Sequence, residues 1–271
     1  MIGVFDSGFG GLSVLKEIKK KLPAYAYVYL GDSARAPYGN RPLTTVRRFT
    51  REGVEFLFNQ GCVLVIVACN TASAEALRAL QKEYLKTHPE RKVLGVIIPA
   101  AEEAVEKTKN KRVGIIGTRG TVTSGTFPKE LKKINHSIQV FQQACPLLVP
   151  LVERGEHSSS KIIPLLTRYL APLLRKKIDT LILGCTHYEH LHKDIAMVAG
   201  TSVTLISEGA VIARKLSQYL VRHPEVRKKL LRSSKLVFYT TGDLSLFKKL
   251  GSEFFGRKVN ARKVKVLKLG L

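Results

Sequence analysis

The sequence predicts an α/β fold made of two parallel-sheet α/β domains in a pseudo-two-fold arrangement, with the active site in the interdomain cleft. Three observations carry that expectation. Short apolar runs rich in Val, Ile and Leu alternate with longer stretches of helical period, the pattern of βαβ units. A length of 271 residues fits one large α/β domain or two of ordinary size. Two of the apolar runs end alike: Leu64-Val65-Ile66-Val67-Ala68 leads into Cys69-Asn70-Thr71, and Leu181-Ile182-Leu183-Gly184 leads into Cys185-Thr186-His187.

In chain order, strands are expected at residues 2–5, 25–30, 63–68, 93–97, 113–117, 138–144, 180–184, 203–206 and 236–239, with helices between most of them. The segment 43–58 places Leu43, Val46, Val54 and Leu57 near one face of a 3.6-residue repeat, so it should pack on a sheet. Polar turn-formers around Pro99 and at Ser207 to Gly209 mark the expected crossovers between the halves.

Composition narrows the class. With 45% hydrophobic and 24% charged residues the chain should be folded throughout, with no long disordered tail. No apolar run approaches the ~20 residues that span a bilayer. The N-terminus lacks a basic segment followed by a long apolar one, so a cytoplasmic location is expected. Cysteines at 62, 69, 145 and 185 have neither the density of a disulfide scaffold nor the close pairs of a zinc site, and reduced thiols with no metal are expected. A net charge of +24 raises nucleic acid as a partner. The excess is spread over helix faces and residues 235–268 without a block of five like charges, which fits a solvated basic surface and disfavours that partner.

Chemistry concentrates after the strands. Asp6-Ser7-Gly8-Phe9-Gly10-Gly11 follows the first strand and opens a helix, where backbone N–H groups can meet an anion. It matches neither the dinucleotide fingerprint nor a phosphate loop, and close strand-to-helix packing would explain its glycines but not the preceding Asp6-Ser7. Gly31-Asp32-Ser33 and Pro37-Tyr38-Gly39-Asn40 bring hydroxyls and a carboxylate to the same sheet edge, or form an ordinary turn. Cys69 and Cys185 sit past buried strands at the expected starts of helices, where ligands bind and a thiolate is favoured. Asn70, Thr71 and Thr186 can cap those helices and bond a ligand. His187 and Glu153 could pass a proton to a neighbouring thiol. Cys62 and Cys145 lack the strand-end setting and are read as structural.

Taken together these residues closely resemble the glutamate racemase family, within the wider aspartate/glutamate racemase group. The matching stretches are Phe5-Asp6-Ser7-Gly8-Phe9-Gly10-Gly11, Gly31-Asp32-Ser33, Pro37-Tyr38-Gly39, Ala68-Cys69-Asn70-Thr71-Ala72-Ser73, Val149-Pro150-Leu151-Val152-Glu153 and Gly184-Cys185-Thr186-His187-Tyr188, in family order. The resemblance implies a first domain of residues 1–97 completed by 207–271, and a second of residues 98–206. It implies cofactor-independent racemisation of L-glutamate to D-glutamate for peptidoglycan synthesis, by proton transfer at the α-carbon between Cys69 and Cys185. Asp6, Glu153 and His187 would assist. Glutamate would be bound by Asp6, Ser7, Asp32, Ser33, Tyr38, Gly39, Asn70, Thr71, Thr186 and His187. The expected partner is that small molecule, with no membrane, and a homodimer is compatible with the sequence. Two alternatives stay open: an aspartate racemase or related two-cysteine racemase, and a non-catalytic protein of the same fold that binds nucleic acid or a DNA-acting enzyme.

Three features depart from the family pattern. Glu189 stands where proline is common, Leu205-Ile206-Ser207-Glu208-Gly209 lacks the usual aspartate-serine pair, and the basic charge is unusual. Some members carry an N-terminal extension linked to activation by a cell-wall precursor. With five residues before Asp6, no such activation is expected.

Overall fold

Strands buried on both faces need no alternation of polar and apolar residues, which is why parallel strands read as unbroken Val, Ile and Leu. In the computed structural model, which describes residues 1–265, the apolar runs become β1 (Ile2–Asp6), β2 (Tyr27–Gly31), β3 (Leu64–Val67), β4 (Lys92–Gly95), β5 (Arg112–Gly117), β6 (Gln139–Ala144), β7 (Thr180–Gly184), β8 (Thr204–Ile206) and β9 (Leu236–Thr240), followed by β10 (Ala261–Lys263). They form two sheets, ordered β10-β9-β2-β1-β3-β4 and β6-β5-β7-β8, with every pairing parallel. β1, β2, β3 and β7 are buried along their whole length. The last part of the basic stretch 235–268 lies outside the described residues.

All nine expected strands are present, and the structure corrects some details. β10 has no apolar run to announce it, because Ala261-Arg262-Lys263 holds a sheet edge by backbone pairing to β9. The fourth strand stops at Gly95, two residues early, since Ile97 already opens the helix Ile97–Lys107. Pro99 is therefore no turn residue. It occupies the first helical turn, where its missing N–H leaves no bond unmade. Ser207 precedes the helix Glu208–Arg222, which lies between β8 of the smaller sheet and β9 of the larger one.

Three further helices prepare the site: α1 (Gly11–Lys21), α2 (Leu43–Asn59) and α3 (Asn70–Glu75). α2 buries Val46, Val54 and Leu57 as its periodicity requires, whereas Leu43 is 44% exposed at its N-terminus. One cluster of buried side chains runs from Val4, Leu12 and Ile66 of the larger sheet's layer to Ile116, Leu181 and Leu183 of the smaller sheet, so the two share apolar contact. Among the described residues no helix is long and apolar enough to cross a membrane.

The strand order positions the chemistry. β1 lies between β2 and β3, and β5 lies between β6 and β7. Connections leaving neighbouring strands in opposite directions open a crevice at the carboxyl ends, and both sheets have such a switch point. Ser7 after β1, Cys69 after β3, Thr118 after β5, Cys145 after β6 and Cys185 after β7 all line one pocket.

The helix Leu244–Phe255 is tied to the first loop by the fully buried Phe247, whose ring centroid is 5.4 Å from that of Phe9 and 6.2 Å from that of Tyr29. Phe247→Ala should cost about 3–5 kcal/mol of stability in urea unfolding. A loss below about 1 kcal/mol would contradict this account of the packing.

Candidate active site

The pocket between the sheets encloses about 530 Å³, counting its open mouth. From the larger sheet come Ser7, Tyr38, Gly39, Cys69, Asn70 and Thr71, and from the smaller sheet Thr118, Arg119, Cys145, Val149, Cys185 and His187. Hydroxyls bridge the two halves directly. Thr71 Oγ1 is 2.8 Å from Thr118 Oγ1 and 3.4 Å from Thr121 Oγ1.

Cys69 precedes α3 in an extended conformation, φ −64° and ψ 122°, and its Sγ is 3.4 Å from Ser7 Oγ. Cys185 precedes the 3-10 helix Thr186–Leu191, with its Sγ 3.8 Å from His187 Nδ1. On the far side of that imidazole, Nε2 is 3.0 Å from Glu153 Oε1, so thiol, ring and carboxylate form a chain along which a proton can move. Asp6 is fully buried; its carboxylate accepts the Gly8 N–H at 2.8 Å and the Thr186 hydroxyl at 3.4 Å.

Helix starts were the reason to expect stabilised thiolates, and here burial overrides them. The two helical segments have six residues each, so their dipoles are weak, while the thiols are only 6% and 7% exposed. Burial pushes Cys69 up to about 12, Asp6 adds to the rise, and the Ser7 hydroxyl and the N–H groups of Ala72 and Ser7 oppose it. Cys185 is raised well above the usual thiol range, by burial first and then by the charges of Cys69 and Asp6, against the His187 N–H. Each sulfur is thus neutral in the free pocket at neutral pH, and each feels the other's surroundings. Burial also raises Asp6, against the opposing charge of His187.

The other expected site residues divide. Ser7, Tyr38, Gly39, Asn70, Thr71 and His187 line the pocket. Asp6, Glu153 and Thr186 stand behind it, in contact with Gly8, His187 and each other. Asp32 and Ser33 do not reach the wall. Asp32 accepts the Tyr38 hydroxyl, the Arg35 guanidinium at 2.7 Å and the Thr241 hydroxyl at 2.7 Å, so it fixes the Tyr38 ring from behind. Ser33 Oγ pairs with Thr240 Oγ1 at 2.7 Å, at the end of β9. The first loop's glycines answer to packing: a Cβ on Gly10 would come within 2.2 Å of Thr186 Oγ1, and one on Gly11 within 2.6 Å of Asp6 Cβ. No anion cradle is needed to explain them.

Cys145 requires correction. It directly follows β6 and lines the pocket, so it does have the strand-end setting, although its thiol is likewise pushed up to about 12 by burial. Thr118 and Arg119 were also missed; the rule that singled out Cys69, applied to the end of β5, would have found both. Arg119 is the single arginine or lysine among the described residues lining the pocket. Cys62 packs in the core under α2. Among the described residues no group of three or more His, Cys, Asp or Glu is placed to hold a metal ion.

Known proteins match along most of the chain. A family model described as Asp/Glu/Hydantoin racemase matches residues 2–216. The glutamate racemase of Oceanobacillus iheyensis is 43% identical over 259 residues, covering 94% of this chain and 91% of that protein. The structure of a glutamate racemase isoform from Bacillus anthracis is similar at a TM-score of 0.91 and 37% identity, covering 100% of this chain and 98% of that one. Glutamate racemase from Francisella tularensis in complex with D-glutamate is similar at 0.87 and 30% identity, covering 98% and 97%.

The raised thiols give stability a definite pH dependence. A thiol held neutral by the fold contributes stability that is fully present below its unfolded value, near 9, and is lost as pH rises toward its folded value, about 12 for Cys62, Cys69 and Cys145. Each such thiol should remove about 1.4 kcal/mol of unfolding free energy per pH unit above ~9. Urea unfolding at several pH values between 8 and 11 checks this, and a flat profile would show that burial does not hold the thiols neutral.

Proposed function

We propose that this chain, which belongs to the Asp/Glu/Hydantoin racemase family, interconverts L- and D-glutamate by moving a proton across the α-carbon between Cys69 and Cys185. The observation that carries this is the meeting of the two cysteines, from the carboxyl ends of strands in different sheets, in one pocket.

In the free protein a thiolate is disfavoured by burial, and the substrate brings the remedy. Its α-ammonium is a positive charge that lowers a neighbouring thiol toward ionisation. One thiolate removes the α-hydrogen as a proton, leaving the electron pair on carbon, and the opposite thiol then delivers a proton to the other face. One S–H bond breaks as another forms and nothing is oxidised or reduced, so the exchange balances without an electron or group carrier. The Cys185–His187–Glu153 chain returns a proton to its own sulfur, while Asp6 steadies Thr186 beside it. Ser7, Tyr38, Gly39, Asn70, Thr71 and His187 contact the substrate, Asp32 contributes through Tyr38, and Arg119 offsets a substrate carboxylate.

Glutamate is preferred to aspartate because relatives 39–43% identical across most of their length carry that substrate in their names. On this reading the protein works in the cytoplasm and supplies D-glutamate for peptidoglycan, assigns nucleic acid no role and is compatible with a homodimer. Sheet membership supports a division into 1–97 with 207–271, and 98–206.

A coupled assay on both enantiomers of glutamate, without added cofactor, should show racemisation, and in D2O the product should carry α-deuterium. Cys69→Ser and Cys185→Ser should each lower kcat by roughly 10²–10⁴ with little change in the unfolding midpoint. Turnover of aspartate alone would overturn the substrate, and full activity in either variant would overturn the two-thiol mechanism.

A further inference from the structure

Glu208 opens the helix after the return crossover, in the segment where the chain departs from the family pattern, yet it is only 3% exposed. A buried carboxyl needs partners, and this one has one: its Oε2 accepts the Asn70 side-chain N–H at 2.7 Å. Asn70 is itself 2% exposed and is the residue directly after Cys69. Its Oδ1 has no hydrogen-bond partner among the described residues, and neither does Glu208 Oε1.

A buried carbonyl oxygen without a donor is costly and persists where something else supplies the donor. An amide can present only one end each way. With its N–H held by Glu208, Asn70, which lines the pocket directly after Cys69, keeps a buried acceptor oxygen that no described residue uses. The substrate group that donates N–H there is the α-ammonium, since both carboxylates only accept.

We infer that Glu208 is a positioning residue, which locks the Asn70 amide so that Oδ1 receives the ammonium of the bound amino acid. This rests on the racemase reading above. The surroundings are consistent with it. Burial and the charges of Glu189 and Asp6 push the Glu208 carboxyl up to about 8, against the Asn70 bond, so at neutral pH it holds the amide mainly as a neutral acid. No further negative charge is then set beside Asp6 and Cys185 to repel a substrate that carries two carboxylates.

Isothermal titration calorimetry with D-glutamate and with glutarate, which has the same two carboxylates but no ammonium, separates this role from a structural one. Glu208→Met keeps length and removes the acceptor; it should weaken D-glutamate binding about tenfold or more and leave glutarate unchanged. KM should rise by a similar factor with kcat changed less, and Glu208→Gln, which keeps an acceptor oxygen, should restore both. Equal loss for the two ligands, loss for neither, or failure of Gln to rescue would overturn the inference. If Glu208→Met does not fold, the wild-type Asn70 side-chain amide, observed by NMR, should show one downfield, slowly exchanging proton; a freely exchanging amide would overturn the inference too. Wild-type protein that binds neither ligand would defeat the racemase reading itself.

Discussion

Taking a thiol out of water raises the free energy of its anion, and Cys69 and Cys185 are both taken out of water at the ends of buried strands. Much of the surrounding architecture answers to that cost. Ser7 and two backbone N–H groups face one sulfur, while an imidazole backed by a carboxylate faces the other. Close approach is part of the same solution. Gly10 lets the first loop press against Thr186 and His187. Burial keeps the thiols protonated and also makes each hydrogen bond and charge around them count for more.

Much of the fold could be read from the sequence, because parallel strands buried on both faces leave a plain apolar signature. What escaped was local. β10 is an edge strand that buries only Ala261 and is otherwise held by backbone bonds, so its Arg and Lys residues look like loop. The end of β4 and the start of the next helix are both apolar at Val96 and Ile97, and periodicity cannot divide such a run. Leu43 fits the helical repeat but lies at the exposed tip of α2, where the face it belongs to has run out of sheet.

The site was legible to the extent that it follows strand ends. Cys69, Cys185 and their polar neighbours were marked by position, but the direction of the thiol shift was not, since burial depends on what packs around a residue from elsewhere in the chain. Asp32 and Ser33 share a loop with the residues that lead to Tyr38, and sequence proximity could not show that they turn toward β9 instead of the pocket. Cys145 was set aside because Pro146 follows it, yet a proline after a strand end does nothing to turn the preceding side chain away. The residues that depart from the family pattern are paired locally: Ser207 donates to Glu189, and Glu208 accepts from Asn70.

The chain passes between the sheets twice, and the helices that begin at those passages, Ile97–Lys107 and Glu208–Arg222, lie against each other. Lys215 reaches Glu102 at 2.8 Å and Glu106 at 3.2 Å, and Arg214 pairs with Glu103. The two connections are thus fastened side by side, by ion pairs as well as by helix packing. Ion pairs between partly exposed side chains weaken as salt rises, so the strength of this seam should follow ionic strength, while the apolar cluster shared by the two sheets beneath it should not.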